Sequence, residues 1–193
     1  MGSLSITALR RIQREFEFRL GDLVDWESFS IDQVRTSVAA RVGGEIILVP
    51  FHWEQRGYFG LTLGCTTPQG RKWLVLFEQD AGAEHCLVIV LHELMHILFG
   101  HCSAEQPPEE LRRELSRLGL VPGPSDEIVY ARVCMPDEHR HADPGDQEGV
   151  AELASTWIVT KARRAGTLPP AGQTIGTQQI AISSFLGWEV EDH

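Results

Sequence analysis

The chain has 193 residues, of which 42% are hydrophobic and 23% are charged. This composition is typical of a soluble globular protein, and the length is sufficient for one domain with a substantial core. Its 17 Lys and Arg residues stand against 27 Asp and Glu residues, which gives a net charge of −10. That balance disfavours nonspecific binding to nucleic acid or to an anionic membrane. We therefore expect neither direct nucleic-acid binding nor a membrane partner.

The start of the chain lacks the apolar core of a signal peptide. The longest apolar stretch, which begins at residue 86, is interrupted by His92, Glu93 and His96 and is too short to span a bilayer. The four cysteines show no CxxC pairing, which favours reduced and mostly buried thiols. They are Cys65, Cys86, Cys102 and Cys134. These features predict a cytoplasmic protein.

Two helices are predicted before the first strand. Residues 5–20 repeat apolar side chains at helical spacing with arginines on the opposite side. Residues 31–42 form the second predicted helix, since Ser30 and Gln33 resemble a capping box and Gly43 supplies a stop signal. The N-terminal region 5–42 is therefore expected to be helical.

A small sheet is predicted over residues 45–78. Its three candidate strands are rich in Ile, Val, Leu, Phe and Trp, and turn residues separate them. They are Glu45–Phe51, Tyr58–Cys65 and Lys72–Glu78. The short connections favour antiparallel neighbours.

The remaining elements are predominantly helical. A helix over 83–101 is expected from a long apolar run, and a charged surface helix over 109–119 follows. Residues 120–147 are predicted to be loop-like because they contain several Pro, Gly and Asp residues, and a last helix covers 146–165. The tail 166–193 is expected to pack back on the body.

The predicted helix 83–101 contains the sequence His92-Glu93-Leu94-Met95-His96, which is the H-E-x-x-H pattern of zinc hydrolases. Two histidines four residues apart lie about 40° apart around a helix, so both imidazoles can meet one Zn²⁺ ion. Glu93 is turned about 100° from His92, which places it beside the metal as a general base for water. The alternative is a pair of core histidines that hydrogen-bond to carbonyl groups. The apolar surroundings favour the metal site, because buried polar groups need partners.

A catalytic zinc usually has a third protein ligand. Phe99 and Cys102 occupy the positions where the metzincin pattern requires Gly and His, which excludes that class. His101 is interpreted as a helix-end residue and not as a ligand, because a continued helix would turn it about 180° from His92. Glu148 fits best as the ligand, with Glu152 on the same face as a candidate partner for the far nitrogen of a ligand histidine. The alternative for both is an exposed acidic first turn.

The run HELMHILFGH, residues 92–101, resembles the active helix of ImmA/IrrE-type metallopeptidases. The later motif of that family is Glu-x-x-Ala followed by Asn or Asp, and Glu148–Ala151 matches it, with Glu152 in the last position. The resemblance implies that His92, His96 and Glu148 are zinc ligands and that Glu93 is the catalytic base. It also implies an intracellular regulatory protease whose substrate is a DNA-binding repressor or a phage or toxin–antitoxin partner.

We therefore expect an α+β fold in which a small antiparallel or mixed three-stranded sheet packs against a helical bundle that carries the H-E-x-x-H helix. Residues 1–165 would form one metallopeptidase domain, with an insertion over 103–147. The expected cofactor is Zn²⁺, and the expected reaction is the hydrolysis of a peptide bond in a protein or peptide substrate. The alternative function is a non-proteolytic interaction module with a structural or vestigial zinc site.

Overall fold

The computed structural model describes residue 14 and residues 16–52, 60–67, 70–101, 127–134 and 147–168, except for the side chains of 65–67 and 127–134. The helices within these ranges are α1 (Ile31–Val42), α2 (Ala83–Leu98) and α3 (Gln147–Ala165). The strands are β1 (Glu45–Phe51), β2 (Gly60–Thr67), β3 (Gly70–Glu78) and β4 (Glu127–Cys134). Residues 16–20 are also helical.

The Ser30 N-cap and the Gly43 stop predicted for α1 are confirmed, whereas the Gln33 side chain donates to Oγ of Ser28 and does not complete the capping box. The Ser30 side chain accepts a hydrogen bond of 3.2 Å from the backbone N–H of Gln33. At the other end, Gly43 adopts the left-handed conformation with φ of 70°, and its N–H bonds to the carbonyl of Ala39. Glycine adopts this conformation without the steric penalty that a Cβ would bring. The helix therefore begins and ends where its capping residues predict.

The four strands form one mixed sheet in the order β1-β3-β2-β4. The α+β class and a mixed sheet agree with the prediction, but β1 runs parallel to β3, while β2 is antiparallel to both β3 and β4. The chain reverses direction between β1 and β2 and again between β2 and β3, so β1 and β3 run the same way, and β1 pairs with the edge of β3 that β2 leaves free. The prediction missed β4, since the Pro, Gly and Asp residues around it outweighed the β-forming Ile128, Val129 and Tyr130.

Both faces of the sheet are buried, and the register separates two apolar sets. The face toward the helices carries Ile46, Leu48, Trp73, Val75 and Phe77, which belong to one cluster with the helices. The opposite face carries Ile47, Val49, Leu61, Leu63, Leu74 and Leu76, which are also buried. Burial on both faces explains why these strands have nearly continuous apolar sequences instead of an alternating pattern.

Helix α2 lies in the centre of the described core, in contact with α1, α3 and strands β2 and β3. Its apolar residues are buried on nearly every side, as the sequence predicts. Helix α3 presents small buried residues at Gly149, Ala151 and Ala154. Small side chains let two helices approach closely, so the first turn of α3 is held near the histidines of α2.

Cys86 is the one cysteine whose side chain is described. It is buried, its Sγ lies 3.0 Å from the carbonyl of Ala81, and burial raises the pKa of this thiol. The predictions for the start of the helix over 5–20, the helix over 109–119 and most of the tail 166–193 lie outside the described residues. None of the described helices is both long enough and apolar enough to span a membrane.

A larger side chain at Ala154 should weaken the packing of α3. Ala154 is fully buried, and forcing extra carbon atoms into a packed core typically costs about 1–3 kcal/mol. Ala154→Leu should lower the free energy of unfolding by about that amount in urea denaturation. Thr156→Leu is the matched control, since Thr156 is exposed on the same helix. Equal unfolding midpoints for the two variants would contradict this packing.

Candidate metal centre

Three potential ligand atoms from α2 and α3 converge on one point. Nε2 of His92 and Nε2 of His96 are 2.9 Å apart. Oε2 of Glu148 lies 3.2 Å from Nε2 of His92 and 3.4 Å from Nε2 of His96. The structure thus brings together the three residues that the sequence predicts as metal ligands, and they could hold a metal ion.

Helix geometry and helix packing together produce this triangle. The two histidines are one turn apart on α2, so their rings project from the same side. Glu148 belongs to the first turn of α3. The His96 side chain is completely buried, whereas the side chains of His92 and Glu148 are 20% and 29% exposed. The site is therefore closed on the His96 side and accessible to solvent on the other.

Hydrogen bonds alone cannot satisfy all three of these contacts. A neutral imidazole nitrogen carries either one proton or one lone pair, and a carboxylate only accepts. If His96 donates to Nε2 of His92, that nitrogen can no longer donate to Glu148, and two acceptors then face each other. If both Nε2 atoms carry protons, the two donors lie 2.9 Å apart. A cation resolves the conflict, because all three atoms can present lone pairs to it.

The spacing of the three atoms also fits a small tetrahedral ion. Donors bonded at about 2.0–2.1 Å to a tetrahedral zinc lie about 3.3–3.4 Å from one another. The three observed separations are 2.9, 3.2 and 3.4 Å. Two imidazoles and one carboxylate are a donor set found in catalytic zinc sites with an open fourth position. The residues present therefore fit a divalent metal.

Glu93 is not one of the three converging groups. It is fully buried between α2 and β2. Thr62 Oγ donates a hydrogen bond of 2.5 Å to Oε2 of this carboxylate. Among the described residues, Oε1 of Glu93 has no hydrogen-bond partner. Both of its carboxylate oxygens lie against β2, and its predicted place beside a metal stays a prediction.

His101 contacts a candidate ligand, although it lies beyond the end of α2. Its Nδ1 is 3.1 Å from Nδ1 of His96. Gly100 adopts a left-handed conformation with φ of 69°. The N–H of His101 donates to the carbonyl of His96, and the N–H of Gly100 donates to the carbonyl of Ile97. This pattern is a Schellman motif, and it folds the chain back over the last helical turn.

A helix continued past Gly100 would turn the ring of His101 away from the site, but the helix ends at Leu98. The glycine that ends the helix is the signal that predicts the reversal. Glu152, the alternative partner for a ligand histidine, is exposed. In the described part of the chain, the residue that contacts the far nitrogen of His96 is His101 and not Glu152.

A second group of potential ligands, His52, Glu78 and Asp80, lies where β1 and β3 end. His52 Nδ1 is 2.6 Å from Oδ2 of Asp80, and both side chains are more than 60% exposed, at 62% and 65%. The backbone N–H of Asp80 donates to Oε1 of Glu78. These hydrogen bonds join the three residues without an ion, and the two most exposed side chains lie at the surface.

Comparisons with protein-family models, with curated proteins and with solved structures each found no match to this chain. The resemblance in residues 92–101 and 148–152 therefore stays a prediction from the residues, and the function has to be argued from the geometry of the site.

Removal of the His101 acceptor should weaken metal binding without loss of a ligand. For Nε2 of His96 to present its lone pair, the proton of this ring must be on Nδ1, where His101 accepts it. Loss of such an outer partner typically reduces metal affinity about 10- to 100-fold. His101→Phe keeps a ring against Phe99, which stacks on His101 at 5.7 Å, and should show this loss in a competition titration of zinc with a chromophoric chelator.

His85→Phe serves as the control for this variant, since His85 is exposed in the first turn of α2. It should bind zinc as the unmodified chain does. Equal zinc affinities for His101→Phe and His85→Phe would show that His101 does not support His96.

Proposed function

We propose that this protein is a zinc-dependent metallopeptidase. The observation that carries the proposal is the triangle of Nε2 of His92, Nε2 of His96 and Oε2 of Glu148, whose contacts of 2.9–3.4 Å hydrogen bonds cannot satisfy together. The buried carboxylate of Glu93 lies next in sequence to one of these groups. A structural metal site does not need a general base, whereas a hydrolytic site does.

The three converging residues would hold the zinc. A zinc ion bound there would act as a Lewis acid toward water and toward the carbonyl group of the substrate. The partial exposure of His92 and Glu148 leaves room for water and for a peptide on that side. The Nδ1 contact with His101 would hold the ring of His96 in the orientation that ligation requires.

Glu93 would move the proton. Its Oε2 accepts the hydrogen bond of Thr62, so Oε1 is the oxygen with capacity to accept a proton from the attacking water. The same atom would later donate this proton to the leaving amine nitrogen as the peptide bond breaks. Burial of Glu93 excludes bulk water from this carboxylate, which strengthens its interactions with the reacting groups.

The resemblance to ImmA/IrrE-type enzymes suggests the class of substrate. We propose a regulatory protein, with a DNA-binding repressor or a phage or toxin–antitoxin partner as the candidates. A net charge of −10 on this chain would favour encounter with a protein that has a basic face. A cytoplasmic location is part of the same proposal.

Glu93→Gln should abolish hydrolysis and leave the metal bound. The amide keeps the shape of the side chain and can still accept from Thr62, but it cannot accept the proton of water. General-base catalysis contributes about 10²- to 10⁴-fold, so cleavage of a proteome-derived peptide library, measured by mass spectrometry, should fall by at least about 100-fold. Zinc content should be that of the unmodified chain.

Glu152→Gln is the matched control, since its carboxylate is exposed on α3, and it should retain full cleavage. Full cleavage by Glu93→Gln would contradict the peptidase mechanism. If the unmodified zinc-loaded chain cleaves no peptide in the library, the interaction module becomes the better account of this protein.

A further inference from the structure

We propose that two residues of β2, Thr62 and Gly60, are positioning residues for the carboxylate of Glu93. Thr62 would fix Oε2 by a hydrogen bond, and Gly60 would supply the space in which Oε1 lies. Both would act through Glu93 and would touch neither the metal nor the substrate. This inference rests on the proposed hydrolytic function, and it adds two residues of the sheet to those that support the site.

Thr62 and Glu93 form a direct side-chain hydrogen bond between β2 and α2. The Thr62 hydroxyl donates to Oε2 of Glu93 at 2.5 Å. Both side chains are fully buried, so water does not compete for either partner. A hydroxyl has one proton to donate, and this one is directed at Oε2. One oxygen of the carboxylate is therefore tied to the sheet.

Strand β2 gives Thr62 a rigid base. The strand lies between β3 and β4 in the sheet. Thr62 is paired with Val75 on β3 and with Arg132 on β4. Val75 belongs to the apolar cluster that includes α2, so Thr62 faces that helix. Functional groups supported by paired strands are held more accurately than groups on loops.

Gly60 is required for space and not for its backbone conformation. It is not among the described glycines with positive φ. A Cβ at this position would lie 2.5 Å from Oε1 and 3.1 Å from Cδ of Glu93, and 3.1 Å from Cγ2 of Ile89. A contact below 3.0 Å requires one partner to shift, so an alanine here would displace the carboxylate end of the Glu93 side chain.

Together, the two residues account for the surroundings of the Glu93 carboxylate, in which Oε2 bonds to Thr62 and Oε1 has no hydrogen-bond partner among the described residues. A buried acceptor without a partner costs free energy, and that cost is removed when Oε1 meets a proton donor such as the attacking water. The hydrogen bond from Thr62 ties one carboxylate oxygen to β2. The missing Cβ of Gly60 leaves room for Oε1 itself.

Thr62→Val is the principal test, since valine has the shape of threonine without the hydroxyl. In the zinc-loaded full chain, kcat for the library peptide that the unmodified chain cleaves best should fall about 10- to 100-fold. KM and zinc content should be nearly unchanged, because neither substrate nor metal contacts Thr62. Thr62→Ser restores the hydroxyl and should restore most of kcat. Equal kcat for Thr62→Val and the unmodified chain would overturn the proposal.

Gly60→Ala provides the second test, with Gly64→Ala as its matched control. Gly64 lies on the same strand, and a Cβ there would meet the ring of Trp73 at 2.7 Å instead of Glu93. Both changes disturb the packing of β2, but only the first disturbs the carboxylate. We expect kcat to fall about 100-fold in Gly60→Ala and to change little in Gly64→Ala. Equal losses of kcat in the two would overturn the role of Gly60.

Infrared spectroscopy tests the positioning of Glu93 independently of peptide cleavage. The difference spectrum between the unmodified chain and Glu93→Gln isolates the carboxylate stretch of Glu93, even if no peptide is cleaved. A single narrow band that shifts and broadens in Thr62→Val, but not in Thr62→Ser, supports the positioning role. A band that is identical in the unmodified chain, in Thr62→Val and in Thr62→Ser contradicts the positioning role. The absence of cleavage by the unmodified chain would count against the peptidase function alone.

Discussion

The structure depends on one constraint, which is the presence of three polar side chains within five residues of a buried apolar helix. His92, Glu93 and His96 interrupt a segment whose other residues pack into the core. A buried polar group without a partner costs several kcal/mol or less, depending on what it can bind. Such a helix is therefore stable only where neighbouring elements supply those partners.

Three different elements meet this requirement. Helix α3 brings Glu148 to both histidines, strand β2 brings Thr62 to Glu93, and the Schellman turn after α2 brings His101 to His96. Successive residues of a helix point about 100° apart. The histidines of α2 therefore face α3, while Glu93 between them in sequence faces the sheet. The candidate site therefore depends on the packing of α2 against both neighbours.

Most of the described elements and the three candidate ligands could be predicted from local patterns. Helix α1 has capping residues at both ends, and the apolar runs of β1 and β3 mark buried strands. Glu148 could be identified because it shares a helix with small residues that allow close packing. In each case the sequence pattern that supports the prediction lies within a few residues of the element or side chain that it predicts.

The features that were missed depend on contacts between distant parts of the chain. Strand β4 is recognised by its pairing with β2 and not by its surroundings in sequence. Thr62 and Gly60 precede Glu93 by about 30 residues, and no periodic pattern connects a strand residue to the helix residue it contacts. His101 was misplaced for a local reason, because a helical projection was continued through a glycine that ends the helix.

His92, His96 and Glu148 are the residues proposed to hold one metal ion. The most direct measurement is zinc content by mass spectrometry on the purified chain, on Glu148→Ala and on Glu152→Ala, each after zinc addition and removal of the excess. Since the three donors act together, we expect about one zinc ion per chain in the unmodified protein and in Glu152→Ala, and much less in Glu148→Ala. Equal zinc in all three proteins, or zinc in none of them, would contradict the account.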